Sequence, residues 1–391
     1  MSININKTNI MMFLISITPI IDSVNGVMVR SEGSGLNIGQ VFRILILLLL
    51  FLHVSELSKE DIILYWGCFA LYIPIQFAVG IDYGISSVLW TIKLFMPLLM
   101  TVTMFTMINN NRINKESIDR MIDVIALLAP ITIIIPFLLK VGYRTYETAG
   151  YRGFYFATNE INFVLAGCIL ICVHRLSLKI EMKSIVLLAL NTLGVLLLGA
   201  KSGLVLAGSG IIFFAIYDGR GLRELRVRKA VVSLLLVFAA VLGVYALKDN
   251  LMDIISRLSY VQRQHSNEGA LYMITSGRTA RIADSWREFS DGSACRFLFG
   301  WGLGGVNNGR INVEMDFIDL LYAVGLIGIV PVILLYFRLI RTIRWDLWKI
   351  IAIVWTIILI AMGGHILYAA LGGTMLSVLL IYLKVSETIR S

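Results

Sequence analysis

The chain has 391 residues, of which 58% are hydrophobic and 15% are charged, and its mean hydropathy is +0.83. Soluble domains carry about 25% charged residues, so this composition excludes an ordinary water-soluble globule. The formal net charge is +9, but the basic residues fall in short segments between apolar runs, which indicates membrane topology rather than nucleic-acid binding. We therefore predict an all-α polytopic membrane protein without a nucleic-acid partner.

Apolar runs long enough to cross a bilayer, about 20 residues each, recur along the chain. Continuous runs of this kind exclude the alternating pattern of a membrane β-barrel. The first run contains Pro19 and Asp22, lacks a small-residue cleavage site and continues into further spans, so we expect a membrane helix rather than a removable signal. We predict twelve transmembrane helices, at 9–29, 38–55, 61–79, 85–108, 121–141, 157–174, 184–200, 202–217, 230–247, 314–337, 347–363 and 366–383.

The basic residues between the spans predict the orientation of the chain. Clusters at 112–120, 175–183, 220–229 and 338–344 all fall on one side, and by the positive-inside rule that side is the cytoplasm, together with both termini. Three regions follow. Residues 1–247 hold helices 1–9, with a short outer loop at about 142–156. Residues 248–313 form a large outer loop, and residues 314–391 hold helices 10–12.

Three ionisable side chains, Asp22, Arg43 and Lys93, lie within or at the edge of apolar runs. A charge in the membrane is costly and usually faces a bundle interior or a water-filled cavity. Lys93 lies about two turns into the fourth predicted span, where an ammonium group could meet a lipid-linked phosphate. Arg43 and Lys93 are therefore candidate substrate-binding residues. The alternative is that they snorkel to the interface or pair with Asp22.

The short outer loop is rich in tyrosine, arginine and glycine and leads into Asn159 and Glu160. Tyrosines at this depth are commonly interfacial anchors. Arg152 differs from them, because the small Gly153 beside it lets the planar guanidinium approach a phosphate and bond it through two N–H groups. Arg152 is therefore a candidate phosphate-binding residue.

The large outer loop contains a predicted amphipathic helix that begins near Thr279. Its apolar residues, at helical spacing, are Ile282, Trp286 and Phe289. Arg278 and Arg281 are three apart and project to neighbouring positions on the first turn, where free N–H groups also suit an anion. These two guanidiniums favour a diphosphate ligand. The alternative is a surface helix whose arginines pair with Asp284 and Glu288.

Glu314, Asp316 and Asp319 open the next predicted span on its outer side. Glu314 or Asp316 could act as a general base on a substrate hydroxyl, if held within hydrogen-bond reach. The alternative is that the acids complement the helix dipole. That explanation suits Glu314 better than Asp319, which lies a turn inside the helix.

A glycine-rich stretch, Gly300-Trp-Gly302-Leu-Gly304-Gly305, precedes these acids. It is not a dinucleotide-binding fingerprint, because no βαβ unit surrounds it, and we expect it to let the chain turn back toward the membrane. His265 and His365 lack a third ligand at metal spacing. We predict no cofactor and no metal.

Several of these stretches, in this order, resemble the O-antigen polymerase and O-antigen ligase superfamily of bacterial inner-membrane glycosyltransferases. They cover roughly the C-terminal two thirds of the chain. The matching stretches are Arg152-Gly153-Phe154 followed by Asn159, Ser276-Gly277-Arg278 with Trp286, Gly300-Trp301-Gly302-Leu303-Gly304, and Glu314 to Gly325-Leu326-Ile327-Gly328.

The resemblance implies a C-type glycosyltransferase fold and a metal-independent, inverting transfer from polyprenyl diphosphate at the periplasmic face. It implies lipid-linked oligosaccharides as donor and acceptor, contact with membrane lipids, and leaves open a chain-length regulator as a partner. The residues expected at the catalytic centre are Glu314, Asp316 and Arg278. Those expected to bind substrate are Arg152, Arg281, Lys93, Asn159 and Arg43.

One departure from the superfamily separates its branches. The ligases carry a histidine eleven residues before the Gly-Leu-Ile-Gly stretch, where this chain has Glu314. The difference favours a polymerase over a ligase and leaves the identity of the base open. A lipid-linked-oligosaccharide flippase or other transporter is the second alternative, although transporters of this size often contain internal repeats and this sequence shows none.

Overall fold

The structure is a computed structural model that describes residues 7–32, 38–79, 84–145, 150–200, 277–290, 293–307 and 313–386, with a few single positions between 202 and 252. Up to residue 200 the helices are α1 (Lys7–Glu32), α2 (Ile38–Phe51), α3 (Lys59–Val79), α4 (Gly84–Asn109), α5 (Lys115–Leu138), α6 (Thr158–Leu178) and α7 (Met182–Leu198). The later helices are α8 (Arg278–Ser290), α9 (Ala294–Phe299), α10 (Leu303–Asn307), α11 (Asp316–Arg341), α12 (Leu347–Gly363) and α13 (Ala370–Val385).

Seven of the described helices, α1 to α6 and α11, are long and apolar enough to cross a membrane, and α7, α12 and α13 are shorter apolar helices. The predicted class, an all-α multi-pass membrane protein, is confirmed. The predicted span 230–247 and residues 253–276 of the large loop lie outside the described residues, as does the predicted span 202–217 apart from single positions. The total of twelve spans therefore stays a prediction.

The most buried helices, α4, α6 and α13, form the centre of the bundle. Small residues on α13 allow close packing against α4. A Cβ atom built on Gly373 would lie 2.5 Å from Cγ of Pro97, and the hydroxyl of Ser377 donates a hydrogen bond of 2.8 Å to the Pro97 carbonyl. Small residues and interhelical hydrogen bonds are the usual means of helix association in lipid.

The outer surface of the bundle is apolar. Large side chains such as Leu48, Phe51, Ile333 and Phe337 are more than half exposed on α2 and α11. In water such a continuous surface would promote aggregation, whereas in a bilayer it contacts lipid at no cost. Polar groups are instead turned inward, at the two ends of the bundle.

A short antiparallel hairpin, β1 (Tyr143–Arg144) and β2 (Tyr151–Gly153), connects α5 to α6. Tyr155, which follows it, is buried and ties it to two helices. Its hydroxyl donates to the carbonyl of Pro19 in α1 (3.0 Å) and lies 2.6 Å from the hydroxyl of Thr132 in α5. These bonds fix the chain that leads into α6, which contributes to the site described below.

The segment α8 to α10 folds back onto the bundle, as predicted for the glycine-rich stretch. Phe289 of α8 is fully buried, with its ring centroid 4.8 Å from that of Tyr322 in α11. The N–H groups of Leu303 and Gly304 donate to Gln76 in α3 (2.8 Å) and Ser87 in α4 (3.3 Å). The segment is therefore anchored to membrane helices through both α8 and α10.

The return of the chain requires glycine at two positions. Gly300 and Gly325 both have a positive φ, 81° and 68°, and Gly325 interrupts α11. A Cβ atom built on Gly325 would lie 2.3 Å from the carbonyl oxygen of Leu298, and one built on Gly300 would lie 2.3 Å from that of Ala323. The two backbones are thus so close at this point that there is no space for a side chain on either residue.

Replacing Gly325 with alanine should therefore destabilise the protein. The left-handed backbone and the steric clash together should cost about 2 kcal/mol or more. Gly305→Ala is the matched control, because its added Cβ would meet only Trp301 Cβ at 4.0 Å. Thermal unfolding in detergent measures both. Equal melting temperatures for the two variants would contradict the proposed backbone contact.

Candidate functional site

Two turns of strained backbone meet at one end of the bundle. Glu314, just before α11, and His365, between α12 and α13, each have a φ of 62°. Residues other than glycine rarely adopt this conformation, and such residues cluster at functional sites. A Cβ atom built on Gly364 would lie 2.5 Å from the Glu314 carbonyl oxygen. The two strained residues therefore lie on turns whose backbones are in contact.

Asp316 holds these turns together. Its side chain is fully buried, and its Oδ2 accepts hydrogen bonds from the N–H groups of Ile366 (2.6 Å) and Leu367 (2.7 Å). Bonds between a carboxylate and backbone N–H groups are among the stronger hydrogen bonds in proteins. The residue predicted as a candidate base thus lies beside the site, with one oxygen engaged by the backbone of the turn that carries His365.

Asp319, one turn further along α11, accepts backbone hydrogen bonds in the same way, from the turn that precedes the helix. Its two oxygens accept N–H bonds from Val313 (2.8 Å) and Met315 (3.0 Å). The hydroxyl of Tyr368 also donates to it at 3.4 Å. This bonding explains why an acid lies inside the helix, which the helix dipole does not.

Glu314 connects the amphipathic helix α8 to the bundle. Its Oε2 lies 3.3 Å from Nη2 of Arg278, and its Oε1 lies 3.2 Å from Nη1 of Arg281. The arginines thus converge on an acid from another element, whereas the surface-helix alternative required Asp284 and Glu288. A phosphate also presents two oxygens to a pair of guanidiniums, so the same pair is suited to a diphosphate.

The charge state of Glu314 follows from these neighbours. Burial raises the pKa of its carboxyl, but the positive charges of Arg281 and Arg278 and their hydrogen bonds outweigh burial and hold the pKa below its usual range. Glu314 is therefore ionised at neutral pH, and its contribution to stability is lost only in acid, as the pH falls through that lowered pKa. A carboxylate held in this state is a weak base.

A cavity of about 360 Å³ opens at the same end of the bundle. Its walls come from α1, α2, α4, the start of α6 and the turn before α13. The polar and aromatic residues that line it include Asp22, Gln40, Arg43, Trp90, Lys93, Tyr155, Glu160 and His365.

Arg43 and Asp22 form an ion pair in this cavity. Nη2 of Arg43 lies 2.8 Å from Oδ1 of Asp22, and the two side chains are 14% and 11% exposed. This is the pairing that the sequence left open as an alternative to substrate binding. The pair borders the cavity, so Arg43 still presents its charge there.

Lys93 and Glu160 complete the charges of the cavity. Nζ of Lys93 lies 3.4 Å from the centroid of the Trp90 ring, a cation–π contact. Glu160 accepts a hydrogen bond of 3.2 Å from the N–H of Leu371, at the start of α13. Two cations and two acids thus border one cavity, which gives it nearly balanced charge and space for a ligand.

His365 links the cavity to the arginines. It lines the cavity, and its ring centroid lies 5.6 Å from that of Tyr368 in a T-shaped arrangement. Burial lowers the pKa of His365 below its usual range. The charge of Glu314 opposes this shift, and the charges of Arg278 and Lys93 strengthen it. A neutral imidazole at pH 7 follows.

The two remaining predicted residues lie at the rim. Nη1 of Arg152 donates a hydrogen bond of 2.8 Å to the carbonyl of Phe156, which is part of the cavity wall. Asn159 is partly buried in the first turn of α6, next to Glu160. Of the predicted residues, the structure thus brings Arg278, Arg281 and Glu314 into one cluster and Arg43 and Lys93 into one cavity.

Sequence reasoning considered His365 only as a metal ligand and gave Glu160 no function. A signal was available in each case. Glu160 is an acid at the start of an apolar run, and His365 follows Gly363 and Gly364 in a short break between two spans. What the sequence lacks is any indication that these breaks meet in space.

The fold and the site define an α-helical, multi-pass membrane protein with a charged cavity at one end of the bundle. A family model described as O-antigen ligase like membrane protein matches residues 5–261, which is more than half of the chain. The chain belongs to this family, which confirms the superfamily inferred from the sequence. Of the stretches that carried the resemblance, Arg152 to Asn159 lies within the matched residues, whereas those from Ser276 to Gly328 lie beyond them. The family indicates a polysaccharide-related membrane enzyme. No curated protein and no solved structure matches the chain.

The Asp22–Arg43 ion pair supports a first prediction about the cavity. Arg43→Met should destabilise the protein by about 3 kcal/mol, because it leaves a buried carboxylate unpaired. The double variant Asp22→Asn/Arg43→Met should recover most of this loss. A double-mutant cycle on unfolding in detergent measures the coupling. Single effects that add to within about 0.5 kcal/mol would mean that the two charges do not interact.

Proposed function

We propose that this chain is a surface-polysaccharide polymerase of the O-antigen type. It transfers a growing glycan from its polyprenyl diphosphate to the non-reducing end of a lipid-linked repeat unit. The reaction takes place at the periplasmic face of the bacterial inner membrane, with both termini of the chain in the cytoplasm. In this orientation the cavity and the arginine pair both face the periplasm, where the lipid-linked substrates are presented.

The observation that carries the proposal is the convergence of Arg278 and Arg281 on one carboxylate. The leaving group of the reaction is a lipid diphosphate, whose developing charge must be neutralised in the transition state. Two guanidiniums that already share one anionic group are preorganised for this task. We assign Arg278 and Arg281 to the donor diphosphate, and Glu314 to holding them in place before the substrate arrives.

The cavity supplies the second part of the substrate site. Lys93 and Arg43 offer positive charge to phosphate or to an acidic sugar, and Trp90 offers a ring on which a sugar can stack. Arg152 and Asn159 support the wall of the cavity from the hairpin and the start of α6. Polar groups in a concave site of this size suit a sugar unit better than an apolar ligand.

The proposed chemistry is a direct, inverting displacement at the anomeric carbon that uses no metal ion. Guanidinium and ammonium groups take over the neutralisation of the leaving group, and the acceptor hydroxyl attacks from the opposite face. Asp316 acts as a positioning residue here, because its hydrogen bonds to Ile366 and Leu367 fix one wall of the site.

A ligase that moves finished chains to a lipid core is the second candidate. The description of the matching family model favours it. Glu314 at the position where the resembling ligases carry histidine favours the polymerase instead. The two enzymes use the same donor and differ in the acceptor, so both are compatible with the arginine pair.

Removing the charge of Arg278 should abolish long chains. Arg278→Gln should reduce polymerisation on the order of 100-fold, the loss typical of one group that stabilises charge in a transition state. Arg287→Gln is the matched control, since Arg287 is exposed on the same helix. Surface-polysaccharide length on gels, at equal protein levels, measures both. Normal long chains in the Arg278 variant would refute the assignment.

Deletion of the gene should separate polymerase from ligase. Without a polymerase, the lipid core should still carry single repeat units, because the ligase remains. Without a ligase, the core should carry no repeat units at all. Electrophoresis of the lipid-linked polysaccharide distinguishes the two outcomes, and a bare core would decide for the ligase.

A further inference from the structure

Among the described residues, His365 is the histidine whose side chain borders the site. It lines the cavity that contains Lys93, and the charges of Glu314, Arg278 and Lys93 all act on it. The residue before it, Gly364, lies against the backbone of Glu314, and the carboxylate of Glu314 is shared by Arg278 and Arg281.

We propose that His365 is the general base that takes the proton from the acceptor hydroxyl. This inference rests on the proposed function, since it names the base of that reaction. It differs from the expectation from sequence, in which Glu314 or Asp316 would serve.

The bonding of the neighbouring acids supports the choice of an imidazole. Glu314 is shared by two guanidiniums, and Asp22 is paired with Arg43. Asp316 accepts two backbone N–H bonds through one oxygen, and Glu160 accepts one from Leu371. Each of these bonds engages a carboxylate oxygen that a substrate hydroxyl would otherwise have to reach. The imidazole of His365, by contrast, lines the cavity itself.

The local backbone supports a function at this position. His365 keeps a φ of 62°, a conformation that costs on the order of 1 kcal/mol or more. The hydrogen bonds of Asp316 to the next two residues hold the turn in this form. Such strain persists only when the surroundings impose it, and here it directs the side chain of His365 to the cavity.

The proposed reaction is a displacement at the anomeric carbon of the donor glycan. The oxygen of the acceptor hydroxyl forms a bond to the anomeric carbon of the donor glycan. The bond from that carbon to the diphosphate oxygen breaks, and its electron pair leaves with the lipid diphosphate beside Arg278 and Arg281. The hydroxyl proton passes to the neutral imidazole of His365, which later releases it to water.

The pH dependence follows from the groups that face His365. Burial lowers the pKa of His365. The negative charge of Glu314 raises this pKa, and the positive charges of Arg278 and Lys93 lower it further. The imidazole is thus an active base at neutral pH and above, and activity should fall in acid as the imidazole takes up a proton. The two arginines lower the pKa of Glu314 as well, so that this acid stays ionised at neutral pH.

The test compares purified wild-type protein with His365→Asn on a synthetic lipid-linked repeat unit. Asparagine tolerates a positive φ nearly as well as histidine, so the turn should keep its conformation. We expect turnover to fall about 100-fold or more with little change in KM. The remaining rate should rise about tenfold per pH unit, as hydroxide replaces the base, and added imidazole should restore part of it.

Two measurements separate this mechanism from loss of structure and from the competing base. The melting temperature in detergent and the binding of a short polyprenyl diphosphate should be unchanged in His365→Asn. Glu160→Gln serves as the comparison, because Glu160 faces the same cavity. Whatever the rate of this variant, its pH profile should keep the shape of the wild-type profile. A hydroxide-dependent rate in that variant instead would transfer the assignment to Glu160.

The outcomes distinguish the two proposals. If the wild-type protein does not extend the repeat unit, the proposed polymerase function fails. If it extends the unit and His365→Asn keeps the wild-type rate and pH profile, the function stands and the assignment of the base is overturned. Loss of both folding and diphosphate binding in His365→Asn would also overturn it, in favour of a structural role.

Discussion

The arrangement of the site depends on one buried carboxylate. Asp316 begins α11 and accepts hydrogen bonds from the backbone of residues 366 and 367, between α12 and α13. Because these bonds join two turns that are 50 residues apart in sequence, Glu314 and His365 meet at one end of the bundle. A buried carboxylate is stable only with such donors. Movement of the turn at residues 366 and 367 would leave the buried carboxylate of Asp316 without its donors, so the turn is held in place.

The charges of the site are arranged so that the protein stays folded before substrate binds. Arg278 and Arg281 share Glu314, and Arg43 is paired with Asp22. Uncompensated cations at the edge of a membrane would be costly, so each cation needs an anionic neighbour. A phosphate can take over this neutralisation on arrival. In the proposed function, the same groups therefore serve both the stability of the protein and the recognition of its substrate.

Two clusters contribute to this end of the bundle in different ways. The arginine pair lies on α8, an amphipathic helix attached to α11 through Phe289 and through the contact of Gly300 with Gly325. The cavity lies among α1, α2, α4 and α6. His365 lies on a turn that borders both, which is where a reacting group would be placed.

The sequence by itself determined the class of the protein, the positions of most helices and the amphipathic helix with its two arginines. Hydrophobic runs and residue spacing along one helix are local properties, and a single sequence contains them in full. The tertiary structure alone decided which acids are engaged and which groups share a site. Asp316 reads as a candidate base until Ile366 and Leu367 are seen bonded to it, and His365 reads as isolated until Gly364 is seen against Glu314. Contacts between distant turns follow from the packing of whole helices, and no local pattern in the sequence records them.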